Sequence, residues 1–378
     1  MRIMLSVLGE GRGHMTQAMA AKEIIEGAGH VVASVVLGIG PGKPVPGFFA
    51  SALKPPITRI PTLGFAFRDN AQVDLPATLA AIARGFPALG RGFQLLKSVV
   101  RESRPEVILN FFEPLTGIYA LLCRRRPPVV AVGHQFLCGH PGFVRARGRR
   151  LQQLGMALYV RLVGAASTRL ALSYYEAPDL PRKKLTVCPP LLRRQLFELQ
   201  PNPKGTFVLA YLLKHGYADP IIEWHKRNPG TVLHCFYDKP GAPAEWRYDD
   251  TLTFHRLDGE KFLSMMAECK YVACTAGFET LCEAAYLGKP LFLMPVGHHI
   301  EQRLNALDAV RRGLGIADTR WNLDRLAELP ERLDNTRFRP WFHRTGAVLL
   351  QTLERAVHGS RPELSRFLST ESHGPTAA

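Results

Sequence analysis

The hydrophobic and polar positions of the chain repeat one motif: a short apolar run, a small-residue turn, then a stretch with helical spacing. Met1–Leu8 is mostly apolar and barely alternates, as a strand covered on both faces requires. A glycine turn, GEGRGH, follows, then MTQAMAAKEIIEGAG with helical spacing and a glycine stop. HVVASVVLGIG reads as a second strand. This β–loop–α–β opening predicts an open parallel sheet. Further strands are predicted at Val107–Asn110, Val129–Val132, Arg169–Ser173 and Leu185–Val187, with helices at Leu75–Arg101, Leu115–Cys123 and Leu151–Val163.

The segment CPPLLRRQLFELQPNPKG is proline-rich and lacks a period, which marks a linker. A second α/β series follows. Its strands are predicted at Thr206–Leu212, Val232–Phe236, Leu252–Phe254, Tyr271–Cys274 and Pro290–Met294. Its helices are predicted at Pro220–Arg227, Glu260–Ala267, Phe278–Leu287 and Ile300–Val310. The expected fold class is α/β, with two doubly wound parallel-sheet domains facing across a cleft. The expected boundaries are 1–190, a linker over 191–204, a second domain over 205–335, and a helix within 336–360 that crosses back to the first. That helix is predicted at about Trp341–Val357. The tail 369–378 is polar and expected to be disordered.

Composition narrows the class. The 378 residues are 46% hydrophobic and 21% charged, ordinary for a globular chain with a sizeable core. No apolar stretch reaches the ~18 residues a membrane-spanning helix needs. The amino terminus lacks the long apolar core and cleavage site of a secretory signal. Seven scattered cysteines without CxxC spacing indicate neither a zinc site nor a disulfide framework and fit a reducing cytoplasm.

The net charge of +16 is uneven. Residues 1–190 hold 24 Lys+Arg and 10 Asp+Glu, whereas residues 191–378 hold 24 and 22. Between Pro114 and Tyr175 there are nine arginines and neither an acid nor a lysine. The run from Arg124 to Arg150 is either a solvated surface or a surface for anionic headgroups or an acidic acceptor. It lacks the interleaved aromatics of single-strand nucleic-acid binders, so no nucleic-acid partner is expected.

The first loop contains GxG but has His14 where a dinucleotide fingerprint has its third glycine. The second strand also lacks the terminal acid that would hold a ribose. A nicotinamide or flavin cofactor is therefore not expected. What remains is a tight turn over Gly11 and Gly13 that presents His14 at a helix start, either as a general base or as a structural histidine.

Residues 271–305 carry the stronger signal. A strand ends at Cys274, and Thr275, Ala276 and Gly277 turn into a helix beginning at Phe278. The unpaired amides of its first turn, over Phe278, Glu279 and Thr280, suit a diphosphate. Glu283, one to two turns in, is placed to accept ribose hydroxyls. The next strand ends before His298 and His299, and Glu301 and Gln302 open the following helix as candidates for sugar hydroxyls. Two adjacent histidines do not make a zinc site by themselves, and no metal ligand set is expected.

The pattern AGFETLCEAAYLGKPLFLMPVGHHIEQRLNA resembles the donor half of nucleotide-sugar glycosyltransferases of GT-B architecture. It is most similar to the branch of the lipid-linked N-acetylglucosaminyl transferase of peptidoglycan synthesis and the galactosyldiacylglycerol synthases. GEGRGHMTQAMA resembles that branch's first loop. NFFEPLTGIYALL with VGHQ resembles an uncharacterised bacterial and archaeal subgroup.

The resemblance implies an inverting transferase using a nucleotide diphosphate sugar, expected to be UDP-linked. It implies a diphosphate site over Thr275–Thr280, ribose on Glu283, and donor sugar on His298, Glu301 and Gln302. It puts the backbone that reads the nucleobase edge at Phe254, His255, Arg256 and Leu257, and the base at His14. Glu10 and Arg12 depart from the small residues usual in that loop. The acid that would orient the base is assigned to Glu113, whose alternative is to cap the next helix. His134 and Gln135 are second acceptor-side candidates, beside Gly11 and Gly13. No DxD ends a strand, so metal independence is expected. An epimerase on the same fold is the alternative activity, followed by a binder without turnover. The acceptor is either lipid-linked, at the inner face of a membrane contacted by the arginine run, or soluble.

Overall fold

The computed structural model describes residues 1–40, 42–62, 66–68, 72–212 and 215–359, with backbone alone over 66–68, 72–79 and 81–83. The tail over 369–378 lies outside the described residues. The first half runs β1 (Arg2–Leu8), α1 (Gly13–Gly27), β2 (Val31–Ile39), α2 (Gly47–Ala52), β3 (Ile57–Pro61), a β4 (Ala66–Arg68) and β5 (Gln72–Asp74) hairpin, then α3 (Leu75–Ser103). It continues through β6 (Val107–Phe111), α4 (Pro114–Leu122), β7 (Val129–Val132), α5 (Arg150–Val163), β8 (Thr168–Leu172) and β9 (Leu185–Cys188).

A short α6 (Arg194–Glu198) then leads into the second half: β10 (Val208–Leu212), α7 (Ala218–Arg227), β11 (Leu233–Tyr237), β12 (Glu245–Arg247), β13 (Leu252–Arg256) and α8 (Gly259–Glu268). There follow β14 (Tyr271–Cys274), α9 (Phe278–Leu287), β15 (Leu291–Leu293), α10 (Ile300–Arg311), β16 (Gly315–Ala317), α11 (Arg339–Phe342) and α12 (Thr345–His358).

The strands form two seven-stranded sheets, ordered β3-β2-β1-β6-β7-β8-β9 and β12-β13-β11-β10-β14-β15-β16. All pairings in them are parallel except β12 with β13. Central strands are mostly apolar because helices cover both faces: every residue of β1 after Arg2 is buried. β12 escapes the hydrophobic pattern because its three residues are all exposed on a sheet edge.

In each sheet the strand order reverses once, between β1 and β6 in the first and between β10 and β14 in the second. The crevice beyond the carboxyl ends of such a pair is where open α/β sheets bind ligands. The loops after β1, β6 and β14 therefore belong to the site on topology alone.

The 191–204 segment is not a loose tether. It contains α6, and its Leu191, Leu192 and Leu196 are buried in a core cluster that draws on both sheets. The last helix is broken into α11 and α12. Trp341 Nε1 donates to the Ser173 carbonyl at 2.8 Å and Thr345 Oγ1 to that of Pro190 at 3.1 Å. α12 then packs on the first sheet through buried Leu349, Leu353 and Val357, so the carboxyl end of the second half stitches the halves together. Among the described residues no helix is long and apolar enough to cross a membrane.

Candidate active site

The two reversal points face one another across a crevice of about 2430 Å³. Drug-sized ligand pockets run to roughly 1,000 Å³, so this space accommodates two reactants. The first domain lines it with the β1–α1 loop, Phe112, and Gln152, Met156 and Tyr159 of α5; the second lines it with the loops entering α8, α9 and α10.

The turn into α9 is built as a ligand seat. Ala276 sits at φ +35°, a strained setting for a residue with a Cβ. Gly277 is the N-cap at φ −74°, and no side chain caps the helix. A Cβ on Gly277 would meet no protein atom within 4 Å. The space before it opens on the crevice, and glycine also suits an N-cap. α9 closes on Gly288 at φ +70°, the usual left-handed stop, so its dipole runs from the crevice into the domain.

The starts of α1 and α9 touch: a Cβ on Gly13 would lie 3.4 Å from Glu279 Cγ. Gly11 at φ +81° makes the turn that brings α1 there. His14 is half-buried on the second residue of α1, its ring stacked on Phe112 at 5.6 Å between centroids. Burial lowers its pKa, against an opposing pull from the Glu301 carboxylate. The imidazole is thus held neutral, the form a base needs. Phe112 is itself strained, at φ +61°.

The acid assigned to orient His14 does something else. Glu113 is wholly buried at the N-cap of α4, where its carboxylate accepts from Thr116 N at 2.7 Å. Thr62 Oγ1 donates to it at 3.4 Å, and burial pushes its pKa up to about 7. Pro at the next position, with Glu three residues ahead of the bonded amide, is a helix-start signature, and the cap takes the carboxylate. His14 Nδ1 instead meets Gln17 Oε1 at 3.3 Å, and Gln17 Nε2 donates to Glu279 Oε1 at 2.6 Å. Gln17 lies within the GEGRGHMTQAMA motif but was assigned no role; its position three residues after His14, on the same helical face, was the available signal.

Other assignments divide. Thr275, Gly277, Phe278, Glu279, Thr280, Glu283, His298, Glu301 and Gln302 line the crevice, and Ala276 is buried behind it. Glu283 pairs with Arg193, whose Nη2 and Nε lie 2.5 and 3.1 Å from Oε1 while Nη1 donates to the Gly259 carbonyl. This linker arginine was also missed. Gln302 is buried with its side-chain carbonyl accepting from Val296 N at 2.9 Å, which leaves only its amide nitrogen to offer. His299 caps α10.

Of the nucleobase segment, Arg256 and Leu257 reach the crevice. The side chains of Phe254 and His255 are buried, Phe254 against Trp246 and His255 against Phe236, which leaves backbone alone for the role expected of them. The β13 strand turns both rings into the domain, and burial takes the His255 pKa down to about 4. The edge presented to the crevice begins later, over Arg256–Glu260.

His134 and Gln135 lie at the domain contact. His134 Nδ1 bonds to the Leu172 carbonyl at 2.9 Å and its ring stacks on Phe278 at 4.0 Å, so it is more a bearing between domains than a free acceptor group. Gln135 Nε2 donates to Glu301 Oε1 at 3.0 Å. Two glutamines of the first domain thus hold two glutamates, each the second residue of a helix, in the second.

A sequence model described as glycosyl transferase family 1 matches residues 1–333. The chain belongs to glycosyl transferase family 1. The glycosyltransferase is 23% identical over 350 residues to an uncharacterized glycosyltransferase of Methanosarcina acetivorans, covering 83% of this chain and 85% of the relative. One from Methanosarcina mazei is 22% identical over 334 residues, covering 83% and 85%. Among solved structures it is similar to Phytolacca americana UGT2 complexed with UDP-2fluoro-glucose and pterostilbene, with TM-score 0.57, 12% identity, and 94% and 95% of the chains covered. The kitacinnamycin glycotransferase gives TM-score 0.54 at 15% identity, covering 95% of each. Spinosyn rhamnosyltransferase SpnG complexed with thymidine diphosphate gives 0.51 at 13%, covering 95% and 96%. At these identities the likeness establishes the fold, which is GT-B.

Proposed function

We propose that this glycosyltransferase moves a sugar from a nucleotide diphosphate sugar, taken to be UDP-linked, to an acceptor hydroxyl with inversion and without an obligatory metal. The observation that carries the reading is the amino end of α9: no side chain caps it, it lines the crevice, and it lies against the loop that presents His14.

In this reading the diphosphate lies against the amides of residues 277–280, where the helix pole offsets the charge that grows as the glycosidic bond breaks. The acceptor hydroxyl gives its proton to His14 Nε2 as its oxygen attacks the anomeric carbon from the face opposite the diphosphate. The new glycosidic bond forms as the bond to the diphosphate breaks, and the diphosphate departs with the electron pair. Ribose hydroxyls reach Glu283, and Arg193 either shares that carboxylate or yields it. Glu301 and the Gln302 amide nitrogen receive sugar hydroxyls.

The acceptor is proposed to be lipid-linked. On α5, Leu151, Leu154 and Leu158 are 85%, 56% and 60% exposed, beside Arg147, Arg149, Arg150 and Arg161. The same helix lines the crevice through Leu151, Gln152, Met156 and Tyr159, whereas Leu154 and Leu158 lie outside it. Apolar side chains among cations, in a stretch of chain without an acid from Pro114 to Tyr175, suit an anionic membrane surface.

A thermal-shift panel of nucleoside diphosphates and their sugars tests the donor. UDP compounds are expected to raise Tm, and Glu283→Ala to abolish the rise. His14→Ala should retain that rise and lose transfer, and EDTA should leave transfer unchanged. A panel in which no nucleotide shifts Tm removes the reading.

A further inference from the structure

The structure assigns to Gln17 the positioning of the base: through its two ends, the Gln17 amide ties the His14 imidazole to Glu279 of the opposite domain and holds the imidazole proton on Nδ1. The assignment rests on the reading of His14 as the base. The observations are geometric. Gln17 is buried on α1, one turn after His14. Its nitrogen donates to Glu279 Oε1 at 2.6 Å, and an amide nitrogen cannot accept. With Glu279 Oε1 as the acceptor, the other end of the amide is its oxygen, which lies 3.3 Å from His14 Nδ1. Since the oxygen only accepts, Nδ1 must carry the proton. Nε2 is left with its lone pair, the atom that takes a proton from a hydroxyl.

Free imidazole has no partner to enforce that choice. Here the choice is enforced from across the cleft, because Glu279 belongs to the first turn of α9. Separation of the domains breaks the Gln17–Glu279 contact and frees the amide to rotate. The base is then ordered only while the diphosphate seat is in place beside it, which couples a correctly set base to a closed site from which water is excluded.

Several groups act on the imidazole. Glu301 of α10 raises its pKa, and Phe112 stacks on it. Glu10 and Arg12 of the first loop, and Tyr159 of α5, line the same crevice. Glu113 of the α4 cap is committed to Thr116. Glu279 itself is pushed up to about 8 by burial, helped by the neighbouring Glu283, and its Oε2 is buried without a partner. The proton this carboxyl binds goes to the unpartnered Oε2, which leaves Oε1 the acceptor that the Gln17 amide nitrogen meets and puts no second anion beside a departing diphosphate.

The test is ¹⁵N NMR of the full chain labelled at histidine, with His14 identified by its loss in His14→Ala. The expected result is Nδ1–H in the native protein. Gln17→Leu should give a mixture with Nε2–H. Gln17→Glu keeps the shape of the side chain, puts a charge beside the ring, and should raise the His14 pKa by about one unit or more. Nε2–H in the native chain, or a His14 titration unmoved in Gln17→Glu, overturns the assignment.

With the nucleotide sugar that raises Tm, Gln17→Leu should lower kcat roughly 10–100-fold with the donor KM little changed, since a misplaced proton affects the transition state alone. Equal loss in kcat and gain in KM would mark a merely structural residue and overturn it. Should no nucleotide bind while the tautomer responds as stated, the donor reading fails and the positioning of His14 by Gln17 stands.

Discussion

At the scale of single residues, two buried carboxyls illustrate how burial and neighbours divide labour. Glu279 serves the crevice through Gln17, and Glu113 serves α4 as its cap. Burial raises the Glu113 pKa from 4.5 to about 7. A carboxyl that binds its proton more tightly folded than unfolded stabilises the fold less as pH climbs between those two values. The native protein should therefore lose Tm between pH 5 and pH 8 through this group. Glu113→Gln keeps an acceptor for Thr116 N, carries no charge, and should flatten that part of the Tm–pH curve; a curve of unchanged slope would reject the assignment. Glu113 also shows where a sequence motif misleads. NFFEP places an acid at the end of a strand, which fits an active site and a helix cap equally well, and only the tertiary fold decides which amide the oxygen faces.

At the scale of elements, α9 concentrates the chemistry. Its bounds, Phe278–Leu287, follow from a small-residue turn at one end and Gly288 at the other, both visible in the sequence. Gly277 tests the seat directly. Its φ of −74° suits any residue, and a side chain there meets only the open crevice. Gly277→Val should cost about 1 kcal/mol of stability through the N-cap and weaken nucleotide diphosphate binding at least about tenfold, roughly 1.4 kcal/mol. Calorimetric titration beside a thermal melt reads both. Undiminished affinity would move the diphosphate elsewhere. Gly117 is the contrasting case, since a Cβ there would fall 2.5 Å from the Leu162 carbonyl oxygen in the α4–α5 packing. Its substitution should cost stability without touching the site.

At the scale of the whole molecule, the halves are joined by more than a linker. α12, the buried leucines after β9, the Tyr174–Asp308 hydrogen bond of 2.6 Å and the two glutamine–glutamate contacts all cross between them. The positive first half then has a direction. α5 turns Leu154 and Leu158 outward while Leu151, Gln152, Met156 and Tyr159 border the crevice. A Leu154→Glu and Leu158→Glu double variant should keep its Tm, because both side chains are already exposed, and lose cosedimentation with vesicles containing phosphatidylglycerol. Native binding should weaken as salt rises. Native protein that stays in solution at low salt would remove the membrane from the account.

The sequence by itself determined the two α/β halves, most central strands and helices, and the crevice-lining turns after β1 and β14. Those features are written locally, in runs of buried apolar residues and in glycines at turns. Edge strands such as β12 left no trace because an exposed strand needs no apolar face. The tertiary structure alone decided which polar groups meet. Gln17 with Glu279, Arg193 with Glu283 and Gln135 with Glu301 are separated by 90 to 262 residues along the chain. Such a partnership depends on how two sheets are set against each other, and a hydrogen bond reaching about 3 Å leaves no period in the sequence from which to read it.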